Sequence, residues 1–151
     1  MPKVSAGLLL FKRVSDVLQV FLVHPGGPFW RNKDLGSWTL PKGEVRDDED
    51  ALNCARREFE EETGQKATGD FISLGEVRQA GGKMVKAWAV EGDFSSDLQS
   101  NRFSMEWPPN SGRRQEFPEV DKAAWFPLAE ARKRMNRAQT AFLDRLAEKV
   151  R

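Results

Sequence analysis

Apolar residues fall along the chain in short blocks separated by glycine, proline and charge. Val4 to Lys12 and Leu18 to His24 are rich in Val, Leu and Phe, and the polar connection between them has the length of a hairpin loop, so two strands are predicted. Pro25 to Gly36 carries Pro25, Gly26, Gly27 and Pro28, which break any regular element, and predicts a loop. Ser37 to Leu40 predicts a short strand leading to Pro41-Lys42-Gly43. Phe71 to Gln79 and Met84 to Val90 predict strands around the Gly81-Gly82 turn, and Val120 to Phe126 predicts another. Residues 91–118 read as long and irregular. Leu128 to Arg134 predicts a short helix, and Phe142, Leu143, Leu146 and Val150 set an apolar stripe on a C-terminal helix.

One segment changes period. Leu52, Ala55 and Phe59 recur at helical spacing, Asp47 or Asp48 can cap the N-terminus, and Gly64 can take the left-handed conformation that ends the helix. Arg56 and Glu60 form an i,i+4 pair on the outer side. Glu58, Glu61 and Glu62 fall at i, i+3 and i+4, within roughly a quarter turn of one another. Like charges so placed repel by a few tenths of a kcal/mol, roughly, on an exposed helix. A hard cation removes that penalty, and Mg²⁺, which takes oxygen ligands and keeps waters and substrate phosphates in its shell, suits a partial carboxylate cage better than zinc. The competing reading is a solvated acidic face. Cys54, one turn before Glu58, reads as a small buried apolar residue rather than a nucleophile.

Strands, a functional helix, more strands and a terminal helix predict an α/β or α+β domain with helices covering a mixed sheet. The length of 151 residues suits one core, and 39% hydrophobic with 31% charged residues is ordinary for a globular domain. A formal net charge of +1 gives no basic field for nucleic acid or membrane. One Cys excludes an intramolecular disulfide and a cysteine-rich zinc site. The run Val4 to Phe11 is too short to span a bilayer. These observations lead to the expectation of a soluble, cytoplasmic, single domain over residues 1–151.

The acidic helix and its approach resemble the signature of the Nudix hydrolases. Gly43, five residues, Glu49, seven residues, then Arg57-Glu58-Phe59, Glu61-Glu62 and Gly64 match in register, eight specified positions in all; Gln65 departs from the apolar residue expected there. The resemblance implies an α/β/α sandwich with a mixed sheet and hydrolysis of a diphosphate linkage joining a nucleoside to another group. It implies Mg²⁺, with Mn²⁺ as a substitute, held by Glu58, Glu61 and Glu62 with a backbone carbonyl around Lys42-Gly43. Arg57 would orient the carboxylates and Glu49 would support the loop and helix start. Relatives often add an acidic residue from outside the box as a ligand or base; Glu119, just before the strand-like Ala123-Ala124-Trp125-Phe126, is the candidate, with Glu116 its competitor.

Substrate contacts are expected from the loops. Trp30 and Arg31 in the first, and Trp107, Arg113 and Arg114 in the second, combine aromatics for stacking a base with cations for phosphate. Lys42, beside the box, and Lys83 or Lys86 could also meet phosphate. The competing reading for each aromatic is packing under a long loop. His24, the one His, reads as structural or as a substrate hydrogen bond rather than catalytic. The segment Trp38 to Gly43 resembles its counterpart in dinucleoside polyphosphate hydrolases, which makes diadenosine polyphosphates the first substrate expected and a nucleoside triphosphate the nearest competitor. An RNA 5′-end pyrophosphohydrolase and a non-catalytic nucleotide-binding regulator are the alternatives; the intact glutamate set argues against the second. Oligomeric state is not legible.

Overall fold

The computed structural model describes residues 3–94 and 97–150. Eight strands and three helices follow in the order β1 (Val4–Val14), β2 (Val17–Pro25), β3 (Lys42–Glu44), α1 (Ala51–Thr63), β4 (Ile72–Arg78), β5 (Met84–Glu91), β6 (Arg102–Glu106), β7 (Arg114–Pro118), β8 (Val120–Pro127), α2 (Leu128–Arg134) and α3 (Ala141–Lys149). Short 3₁₀ turns at Ala80–Gly82 and Arg137–Gln139 connect them.

The main sheet has the order β4-β5-β1-β2-β8, with β3 also pairing β1. It is mixed, because β1 runs parallel to β5 and antiparallel to β2 and β3. A strand with neighbours on both edges and helices on both faces is buried on either side, which is why β1 reads as a continuous apolar run rather than an alternating one. Ala6, Leu8 and Leu10 point with Phe21 and Val23 toward Cys54, Ala55 and Phe59 of α1. Leu9 and Phe11 point with Val20 and Leu22 toward Ala131 of α2 and Phe142, Leu143 and Leu146 of α3. The result is an α/β/α sandwich. Fully buried Phe and Leu side chains such as Phe59 and Phe142 each contribute about 1.5–3 kcal/mol by removal from water. Among the described residues no helix is long and apolar enough to cross a membrane.

Four local expectations are corrected. Ser37 to Leu40 is not a strand: Thr39 makes a lone bridge to Val23 and Trp38 one to Met135, and the paired strand is Lys42–Glu44. Its backbone is taken up by the end of α2, since Gly36 and Trp38 donate to Lys133 O and Arg134 O, and Asn136 donates to Trp38 O. Residues 91–118 are not wholly irregular, because β6 and β7 form a hairpin that, among the described residues, makes a two-stranded sheet apart from the main one. With Arg102, Ser104 and Glu106 all exposed, little of its sequence carries an apolar signal. The helix cap is Asp50, whose carboxylate accepts from Asn53 N, rather than Asp47 or Asp48. The Arg56–Glu60 pair does not form either; Arg56 lies over the Phe71 ring at 5.2 Å.

Candidate active site

Arg57 is the hub of the helix-borne charges. Its Nε and Nη2 donate to the two carboxylate oxygens of Glu49 at 2.7 and 2.9 Å, a bidentate pairing whose planar fork matches the carboxylate. Its Nη1 donates at 2.9 Å to both Glu58 Oε1 and Glu61 Oε2. The hydrogen bonds from Arg57 hold Glu49 down to about 2, against the opposing effect of burial. Glu49 in turn accepts from Arg46 N at 3.2 Å, which ties the turn before the helix to the same cluster. The local i,i+4 pair with Glu61 exists, but Glu61 is one of three carboxylates that Arg57 holds.

Gly43 faces this cluster. An ideal Cβ there would lie 2.0 Å from Glu58 Cδ, so any side chain would displace the carboxylate. The Gly43 carbonyl accepts a weak bond from Cys54 Sγ at 3.5 Å. Burial, then the charge of Glu49, pushes the Cys54 thiol up to about 12, which leaves it protonated and inert as a nucleophile.

Glu62 is the most deeply placed carboxylate, 7% exposed. Burial first, then the charges of Glu58 and Glu119, raises it to about 9; Lys42 opposes the rise through its charge and its backbone N–H. Glu58 is also raised, by burial and by Glu61, with Arg57 opposing, and Glu119 by burial, Glu58 and Glu61. Lys42 is lowered by burial, with Glu62 working against the shift.

Long-range backbone bonds carry Glu119 to the cluster. Asn101 N donates to Glu61 O at 2.9 Å, Glu119 N to Asn101 O at 2.8 Å, and Gly26 N to Glu119 O at 2.9 Å. Glu119 thereby shares with Glu58, Glu61, Arg57, Arg46 and Asn101 the wall of a cavity of about 630 Å³. Glu116 does not line it; it is exposed on β7, with Arg102 at 3.9 Å. Asn101, which bridges α1 to Glu119, could be found in the sequence only as part of a polar loop.

Residues 1–146 match the family profile described as NUDIX domain. The chain belongs to the Nudix family. That membership makes it a hydrolase acting on pyrophosphate bonds. Solved structures share the Nudix fold: a C. elegans Ap4A hydrolase binary complex superposes with TM-score 0.70 at 21% identity, covering 98% of this chain and 97% of that one. The NUDIX domain of Shewanella oneidensis NrtR complexed with ADP ribose gives TM-score 0.70 at 19% identity, over 100% and 90%. A MutT protein from Methanosarcina mazei Go1 gives 0.63 at 20% identity, over 98% and 95%. Comparison with curated proteins finds no match.

Nudix enzymes generally use divalent metal, and the donor chemistry here fits one. After burial, the charge of Glu61 raises the proton affinity of Glu58, Glu58 and Glu119 raise that of Glu62, and Glu58 and Glu61 raise that of Glu119, as like charges at close quarters do. Among the described residues no three acidic, His or Cys side chains close into a ready-made cage. Mg²⁺ does not require one, because it ordinarily takes one or two carboxylates and completes its shell with water and substrate phosphate.

The expected substrate contacts separate in this Nudix domain. Trp30 and Lys42 line one small cavity beyond the acidic cluster. Trp107 instead packs edge-on against Phe29, with ring centroids 5.6 Å apart, and Phe103 fills the space over Gly27, so these rings join the hairpin to the loop after β2. Arg114 is tied across the hairpin to Ser104, while Arg113 and Arg31 are exposed. Of the later lysines, Lys83 lies near enough for its charge to repel that of Lys42, whereas Lys86 lines a different cavity. His24 is fully buried, its Nδ1 2.8 Å from Asp121 Oδ1 and its Nε2 2.6 Å from Lys33 O. Since a carbonyl only accepts, Nε2 carries a proton, and His24 serves as a strut between β2, β8 and the loop.

Proposed function

We propose that the protein is a Mg²⁺-dependent pyrophosphohydrolase of nucleoside diphosphate derivatives, acting on nucleoside triphosphates or dinucleoside polyphosphates. The observation that carries this reading is the carboxylate cluster of α1 held by Arg57, with Glu119 brought to it from outside the helix. Bound Mg²⁺ supplies charge neutralisation of the diphosphate and a more acidic water. In this reading Glu58, Glu61, Glu62 and Glu119 offer the oxygens that hold it, joined by the Gly43 carbonyl. Arg57, fixed by Glu49, keeps Glu58 and Glu61 side by side. Lys42 offers a cation to the substrate phosphates, and Glu119, the carboxylate not carried by α1, is the candidate to take the proton of the attacking water.

The test is a Mg²⁺-dependent hydrolysis panel of nucleoside triphosphates, dinucleoside polyphosphates, nucleotide sugars and capped RNA, with products resolved by chromatography and Glu58→Gln as control. Turnover of triphosphates or dinucleotides, lost in the control, is expected. Preferential turnover of capped RNA would move the reading to an RNA-end hydrolase, and no turnover of any substrate by folded protein would move it to a nucleotide-binding regulator.

A further inference from the structure

Arg46 and Arg57 are the cations in the described wall of the large cavity, where they stand among Glu44, Asp47, Glu58, Glu61 and Glu119. A guanidinium offers five N–H groups. Those of Arg57 are all engaged within the protein: Nε and Nη2 on Glu49, Nη1 on Glu58 and Glu61, and Nη2 again, weakly, on Cys54 Sγ at 3.8 Å. Arg46 is the opposite case. Its backbone N–H is bonded to Glu49, but among the described residues its guanidinium makes no hydrogen bond; Nη2 stands 4.0 Å from Glu61 Oε1, an ion pair too long to count as a bond. We propose that Arg46 holds the phosphate next in the chain after the diphosphate at the carboxylate cluster, and so makes the protein prefer nucleotides with three or more phosphates over those with two. The proposal rests on the nucleotide reading of the site given above.

The depth of the charged groups supports this assignment. Glu62 is buried, the side chain of Glu58 is 13% exposed, that of Glu61 30% and that of Arg46 67%, so the four emerge stepwise toward solvent. Lys42 meets Glu62 at the buried end through its charge and its backbone N–H. Two cations therefore bracket the carboxylates, Lys42 inside and Arg46 at the rim. Arg46 is turned toward the cluster, since its charge favours the ionised form of Glu58 as well as meeting Glu61. A third phosphate extending outward from the cluster would pass Glu44 and Asp47, which repel it, and needs a cation there. The cavity of about 630 Å³ lies within the usual range of about 300–1,000 Å³ for small-molecule sites and has room for such a chain.

Arg46 also falls among the five residues that the Nudix signature leaves unspecified between Gly43 and Glu49, so the contact concerns the specificity of this chain rather than the chemistry of the family. A guanidinium can meet a phosphate through two parallel N–H bonds, which a lysine ammonium cannot reproduce. At the rim the contact is weakened by solvent and salt, which limits its effect to about tenfold in affinity.

The test compares adenosine di- and triphosphates with methylene groups in place of the bridging oxygens, so that binding in Mg²⁺ is measured by calorimetric titration without turnover. Wild-type protein is expected to bind the triphosphate about tenfold more tightly than the diphosphate. Arg46→Gln should bring that ratio close to one, Arg46→Lys should leave it between the two, and added salt should lower it in the wild type but not in Arg46→Gln. Because the side chain is exposed, both variants should keep the wild-type melting temperature. Equal affinities in the wild type, or a ratio unmoved in Arg46→Gln, would overturn the proposal and leave the nucleotide reading intact; no binding of either analogue would overturn both. A ratio that falls in Arg46→Gln, in a protein that hydrolyses no phosphate substrate, would sink the enzymatic reading and leave the role of Arg46 standing.

Discussion

Glu62 sits where a carboxylate is costly, buried and facing Glu58 and Glu119, with only Lys42 in opposition. Glu62→Gln keeps the volume and removes the charge. It should therefore leave the metal-free protein at least as stable as before at neutral pH while lowering turnover about 100-fold or more; Glu58→Gln, which also loses a partner of Arg57, should lower turnover comparably. Near-normal Mg²⁺-dependent rates in both variants, with unchanged melting curves, would remove these residues from the proposed ligand set. Gly43 carries a steric argument instead. Because a Cβ there meets Glu58 Cδ at 2.0 Å, Gly43→Ala must push the carboxylate aside, and overpacking of this kind costs about 1–3 kcal/mol. A drop of at least about tenfold in kcat is expected; an alanine variant with wild-type kcat would show that Glu58 can move without consequence.

Among the elements, α1 is self-sufficient in pattern yet depends on its surroundings for function. Asp50 caps it, Gly64 with φ 84° ends it, and Gly64 N returns to Glu60 O, all of which is local. What it faces is not local. The segment before β3 is braced within itself by Trp38 Nε1 donating to Asp34 at 2.7 Å, and strapped to the α2 end and the turn after it by Arg134 donating to Asp34 at 2.5 Å and Leu40 N donating to Gln139 Oε1 at 3.2 Å. Those bonds fix the run that presents Lys42 and Gly43. Gln139→Leu would bury Leu40 N without a partner, at a cost of about 1–3 kcal/mol, and loosen Lys42 as well. Urea unfolding should show that loss, together with a raised KM; a variant with unaltered midpoint would mean that water or another acceptor replaces the amide. The hairpin β6–β7 was hidden in the sequence because its strands alternate charge with a few apolar residues and have no partner in the main sheet. Phe103 over Gly27 and Trp107 against Phe29 supply the contacts that hold it in place.

At the scale of the molecule, the carboxylates come from α1 and from Glu119 between β7 and β8, far apart in the chain, so cation binding should stiffen the assembly as a whole. A ligand that binds only the folded protein stabilises it by RT ln(1 + [L]/Kd), about 2.7 kcal/mol at a hundredfold excess over Kd. Millimolar Mg²⁺ should therefore raise the wild-type melting temperature by several degrees, chelator should reverse the rise, and Glu62→Gln should lose most of it. An identical melting temperature with Mg²⁺ and with chelator would count against metal binding by the folded site.

The spacing of Gly43, Glu49, Arg57, Glu58, Glu61, Glu62 and Gly64 was enough, by itself, to place the acidic helix and its family, because residues three and four apart on a helix are neighbours whatever the rest of the chain does. The central strands were equally legible, since a strand buried on both faces must be apolar throughout. Tertiary structure alone decided the rest. It set Glu119 rather than Glu116 on the cavity wall, with Glu119 N donating to Asn101 O and Gly26 N donating to Glu119 O, and it turned Trp107 into a packing ring while leaving Trp30 beside Lys42. It also brought the Gln139 amide onto that of Gln79, sixty positions away, with Asn136 lining the same cavity. Residues sixty positions apart carry no periodic trace of one another, and their meeting is set by which strand lies beside which.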